Sequence, residues 1–83
     1  MKDSELKSKL LWRCRRGMKE LDVLMVSFVE KNFFDLDQQY KAAFEQILLM
    51  QDPDLYALIL GRNEHNDKDI QYVINILASY RPK

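Results

Sequence analysis

Leu21, Leu24, Met25, Phe28 and Val29 follow one another at i, i+3, i+4, i+7 and i+8. That spacing gathers apolar side chains on one face of an α-helix. A half-buried strand would alternate apolar and polar residues, and no stretch of the chain alternates long enough to insist on one. Two prolines and two glycines are the main breakers in 83 residues, so most of the chain must find a helical solution.

The remaining elements follow from the same logic. A first helix is expected to start at Asp3 or Ser4, either of which can cap it. Leu6, Leu10 and Cys14 (or Arg13) give its inner face, widened by Leu11 and Trp12. Gly17 can take positive φ and let the chain turn, so this helix is expected to stop near Arg16. The second helix carries the stripe above and ends around Asn32 and Phe33. Val23 and Val26 lie off the stripe, which predicts burial on more than one side and a central place in the bundle. Asp35 and Gln38 have the spacing of a capping box for a third helix, with Tyr40, Phe44, Ile47 and Leu48 inward. In "QDPDLYALILGR", Asp52 suits a cap, Pro53 the first turn and Asp54 the positive end of the dipole. A short fourth helix then buries Leu55, Leu58 and Ile59 and closes at Gly61. Asp67 caps a fifth helix with Ile70, Val73, Ile74 and Leu77 inward, and Pro82 bars its extension.

Five short helices joined by short turns predict an all-α fold, a compact bundle forming a single domain over residues 1–83, since each stripe needs another to bury against. A chain of this size buries only about 60% of the surface that its unfolded form exposes. That allows a small core and hardly a deep catalytic cleft. No apolar run approaches the ~20 residues of a membrane span. Charges interrupt "MKDSELKSKLLW" too often for a signal-peptide core. The expected location is the compartment of synthesis, the cytoplasm, without direct membrane insertion.

An enzyme needs a base, a nucleophile and a group to hold developing charge. Asp35, Asp52 and Asp67 each read as helix caps. With two glycines 44 positions apart, neither a phosphate loop nor a dinucleotide fingerprint can form. Cys14 is the sole cysteine and His65 the sole histidine, so an internal disulfide is impossible and a zinc site lacks ligands. A packed cysteine and a loop histidine in "GRNEHND" are the simpler reading. The expectation is a protein without catalytic residues, metal or cofactor of its own.

The net charge is zero, but residues 1–20 hold seven Lys/Arg against three Asp/Glu, a local excess of +4, which the remainder offsets. A basic first helix with Trp12 is a plausible nucleic-acid footprint, yet the acidic remainder argues against it and no nucleic-acid partner is expected. A membrane-surface role is weaker still, because the apolar face of this helix is needed inside the domain.

The stretch "RRGMKELD", residues 15–22, admits two readings. Arg16 and Glu20 are four apart, so they could form a surface ion pair contributing about 0.2–0.5 kcal/mol beside a capping glycine. Alternatively Gly17 leaves a bare patch that another protein's backbone can approach, with Arg16 offering a planar fork and Glu20 an acceptor. Spacing alone does not choose between them.

The segment "WRCRRGMKELD", the later "DPDL", the chain length and the helical layout resemble the SdhE (YgfY) family, from about Leu10 to Leu77. The family's R-G-x-x-E motif is matched by Arg16, Gly17 and Glu20, with no departure within it. The resemblance implies a five-helix fold and a chaperone-like FAD assembly factor. Such a factor binds the flavoprotein subunit of succinate dehydrogenase, with that of fumarate reductase as a second candidate, and promotes covalent flavinylation. The FAD and the attachment chemistry would belong to that subunit. On this basis Arg16, Gly17 and Glu20 are the expected partner contact, with Arg15, Met18 and Trp12 beside them and Asp52 and Asp54 in second rank. The same resemblance carries an alternative, a CptB-like antitoxin acting as the protein partner of a membrane-associated toxin.

Overall fold

The computed structural model describes the backbone of residues 2–81 and side chains from residue 4 onward. Among these residues five α-helices span Lys2–Arg13 (α1), Lys19–Lys31 (α2), Gln38–Leu48 (α3), Asp52–Ile59 (α4) and Lys68–Ser79 (α5), with a 3-10 turn at Phe33–Asp35. No strand occurs among the described residues. The all-α bundle expected from the apolar spacing is the observed architecture.

Every residue of the α2 stripe is buried, as are Ile70, Val73, Ile74 and Leu77 of α5 and Leu55, Leu58 and Ile59 of α4. On α3 the buried set is Ala43, Phe44, Ile47 and Leu48. Tyr40, expected inside, is half-buried. It stacks on Tyr72 of α5 with ring centroids 4.2 Å apart. The centre is aromatic. Phe28 lies 4.6 Å from Phe44 and 6.5 Å from Phe33, the latter edge-on. A radius of gyration of 11.9 Å matches the ~12 Å expected of a packed domain of this length.

Several expectations need correction. The first helix already includes Lys2, so Asp3 and Ser4 lie inside it rather than capping it. It ends at Arg13, three residues before Arg16. The amide of Cys14 makes the closing bonds to Leu10 and Leu11, while the Arg16 amide is captured by the Asp22 carboxylate at 2.8 Å. Asp35 belongs to the 3-10 turn, and Asp37 is the N-cap of α3 through its backbone, with no side-chain cap bond. Val23 is 58% exposed, so α2 is not buried on that side. The centre is also shared: α5 packs against α2, α3 and α4, whereas α2 meets α1, α5 and the 3-10 turn. Asp67 does cap α5, accepting from the amides of Asp69 and Ile70 at 2.8 and 3.2 Å. Gly61 closes α4 at φ +81°. Pro82 lies outside the described residues.

Because Phe28 is fully enclosed by Phe33 and Phe44, Phe28→Ala should cost about 3–5 kcal/mol of stability, measured by urea denaturation monitored by circular dichroism.

Candidate functional site

The α1–α2 junction, residues 14–18, is built around Gly17. Its φ is +86°, and a Cβ there would meet nothing within 4 Å. The glycine is therefore required for the path of the backbone and not for lack of room, since L-residues with a Cβ strain in this region. On its outer side it is open surface. Asp22, in the first turn of α2, holds the corner from behind through the Arg16 amide.

The Arg16 side chain turns inward and is 11% exposed. Its Nε donates to Asp52 Oδ1 at 2.5 Å and its Nη1 to the Leu48 carbonyl at 3.0 Å, while Nη2 donates to the Met50 carbonyl. The planar fork expected to face another protein is thus engaged within this one. It satisfies the Leu48 carbonyl at the end of α3, one of the groups that every helix C-terminus must place somewhere, and the Met50 carbonyl of the turn that follows. It also ties them to the first residue of α4. Asp52 is not the cap of α4: Gln51 holds that position, and the Asp52 carboxylate serves Arg16 instead.

Glu20 does not pair with Arg16. It stands exposed on α2 and accepts from the Tyr56 hydroxyl of α4 at 2.6 Å. The carboxylate on that proton holds the Tyr56 phenol above its usual pKa. Arg16–Asp52 and Glu20–Tyr56 form two rungs between the α1–α2 corner and α4. Asp52 and Tyr56 are one helical turn apart on α4, which puts them on one face.

The other expected residues surround this corner. Trp12 is 73% exposed, and the Arg15 guanidinium lies over its ring at 6.0 Å from the centroid. Met18 is half-buried against the core, and Asp54 is exposed in the first turn of α4. The structure therefore brings Gly17, Glu20, Arg16 and Asp52 together. Asp22 and Tyr56 were missed by sequence reasoning. The acidic "ELD" and the one-turn spacing of Asp52 and Tyr56 were the available signals.

Cys14 is fully buried beside the corner, and burial pushes its thiol up to about 11, with the nearby Asp22 charge adding to the effect. It is a protonated packing residue at neutral pH. His65 accepts from the Asp67 amide at 3.0 Å through Nδ1, within the loop before α5. Among the described residues no cluster of three or more His, Cys, Asp or Glu could hold a metal ion, and no helix is long and apolar enough to cross a membrane.

Arg16→Ala removes three charge-assisted hydrogen bonds and leaves carbonyls short of a donor. It should destabilise the fold by about 1–3 kcal/mol and speed amide exchange at Leu49 and Met50, both measurable by NMR-detected hydrogen exchange.

Residues 8–81 match the family model described as flavinator of succinate dehydrogenase. The chain is similar to the FAD assembly factor SdhE of Idiomarina loihiensis, 38% identical over 88% of this chain and 81% of that protein. It is also similar to the FAD assembly factor SdhE of Legionella pneumophila strain Paris, at 37% identity over 93% and 96% of the two chains. The corresponding factor of Pseudomonas aeruginosa is 37% identical over 90% and 88%. A match spanning α2 to α5 and the second half of α1 covers both helix junctions of the pinned corner, and on it the chain belongs to the family of flavinators of succinate dehydrogenase.

Proposed function

We propose that this protein is an FAD assembly factor that binds the flavoprotein subunit of succinate dehydrogenase and promotes its covalent flavinylation. The flavoprotein subunit of fumarate reductase is a second candidate partner. The family match over residues 8–81 carries the reading. The corner supports it, because an open glycine surface and an oriented carboxylate, Glu20, lie side by side on a rigid support.

The role is one of binding. The protein raises the yield of attachment by favouring one arrangement of the flavoprotein, and differential affinity for two states is sufficient for that. The flavin and the reacting groups stay with the flavoprotein, and the work takes place in the cytoplasm. Gly17 and Glu20 form the centre of the contact, with Arg15, Met18, Trp12 and Asp54 around it. Arg16 and Asp52 serve the contact from beneath, by holding the two junctions in register.

The first test is covalent flavin on the succinate dehydrogenase flavoprotein subunit, read as fluorescence in a denaturing gel. Deleting the gene should abolish or strongly reduce the signal, and wild-type protein should restore it. Glu20→Ala should restore it poorly while melting within a degree or two of wild type. Unchanged flavin after deletion would refute the reading and bring the toxin-partner alternative forward.

A second test separates the two demands on Gly17. D-alanine at position 17, introduced by chemical ligation, accepts positive φ and should leave the fold as stable as wild type or raise stability by about 0.4–1 kcal/mol. If the bare surface is the contact, this variant should still lose binding to the flavoprotein subunit in a titration. L-alanine at the same position should cost about 1–2 kcal/mol in addition.

A further inference from the structure

Beside Glu20 an open groove of about 580 Å³ runs between α2 and α4, lined by Lys19, Glu20, Val23, Leu24, Tyr56 and Arg81. Its surface is mostly carbon, and it contains Val23, an apolar β-branched residue standing 58% exposed one turn into α2. Among the described residues, Val23 belongs neither to the core cluster nor to the hydrophobics packed against it. Tyr56 forms one side, fixed by its bond to Glu20. Arg81 is held at the groove by a long bond of 3.4 Å from Nη1 to the Ile59 carbonyl. The ion pairs among the described residues are Arg13–Glu45 and Arg16–Asp52, so neither Lys19 nor Arg81 is within pairing distance of a carboxylate of those residues. The rim carries two cations against the single carboxylate of Glu20.

We infer that this groove receives an apolar side chain from the surface of the flavoprotein subunit, flanked there by a carboxylate that meets Lys19 and Arg81. The inference rests on the function proposed above and extends its contact from the Gly17 corner along α2. The chemistry follows from the lining. An apolar floor rewards removal of a carbon surface from water, and a surplus of cations at the rim selects an acidic neighbour. Continuity with Glu20, the motif residue at the groove's edge, makes the flavoprotein subunit the occupant. Tyr56 is a positioning residue here: its hydroxyl aims the Glu20 carboxylate and its ring walls the groove. An apolar centre with a charged rim is the usual anatomy of a binding patch.

The test is a calorimetric titration of the purified flavoprotein subunit with the full chain as wild type, Val23→Asp, Val23→Ala, Lys19→Glu and Glu20→Ala. Melting temperature is measured for each. Val23→Asp should weaken binding at least tenfold and Val23→Ala severalfold, with melting unchanged because the side chain is exposed. Lys19→Glu should weaken binding and flatten its dependence on salt. Binding by both Val23 variants within twofold of wild type, while Glu20→Ala loses it, would overturn the groove and leave the corner standing. Normal binding by Lys19→Glu would overturn the acidic flank. A wild-type chain that does not bind at all would overturn the proposed function itself. Sedimentation showing that Val23→Asp converts a dimer to a monomer would assign the groove to a second copy of the chain and overturn the inference.

Discussion

The three-pronged engagement of Arg16 is the interaction on which the arrangement of the site depends. A small bundle can bury its stripes in more than one relative placement of its helices, because apolar contact is not directional. Hydrogen bonds to fixed acceptors are directional. The guanidinium reaches the Leu48 and Met50 carbonyls and the Asp52 carboxylate together, and lysine could not reproduce that geometry with a single point of charge. The α3–α4 turn is thereby set against the α1–α2 corner. Glu20 and Tyr56 repeat the connection one turn further along. Stability and site geometry meet in the same few atoms.

This arrangement changes what the R-G-x-x-E motif means physically. Its three defined residues do not share one job. Arg16 is mostly internal, and its loss acts through the placement of two junctions. Gly17 supplies a backbone conformation and, incidentally to that, a bare exterior. Glu20 faces outward. A substitution at each of the three positions would therefore act on the molecule by a different physical route. A stability measurement set beside a binding measurement tells them apart.

Much of the fold was legible in the residues. The stripes of α2, α4 and α5 pointed inward as spaced, and Asp67 started α5 and Gly61 closed α4 as their chemistry suggests. What was not legible involved competition between local and distant partners. Asp52 has every local credential of a cap, yet an arginine 36 positions earlier claims its carboxylate. Asp35 and Gln38 have capping-box spacing, but the chain spends Asp35 in a 3-10 turn and starts α3 from Asp37. Arg16 and Glu20 sit four apart like an ion pair, but the corner between them is not helical and each finds a partner on the far side of the turn. Long-range polar pairing has no period, so no periodicity reveals it. Val23 was the opposite case: its hydrophobicity suggested burial, whereas its exposure marks a surface.

The way α1 is attached has a consequence for motion. Its principal packing is against α2, and among its described side chains only Leu10, with Cys14 just beyond its end, enters the fully buried core. The aromatic centre of Phe28, Phe33 and Phe44 is assembled without it. Cooperative units of a domain open in order of the contacts they surrender, so α1 is the helix that opens at least cost. The pinned corner is its hinge. The surface around Trp12 and Arg15 then lies on the more loosely held side of that hinge, while Glu20 and Val23 lie on the rigid side. Any contact made across both sides would have to hold α1 closed, and the free energy of closing it would be subtracted from the affinity of that contact.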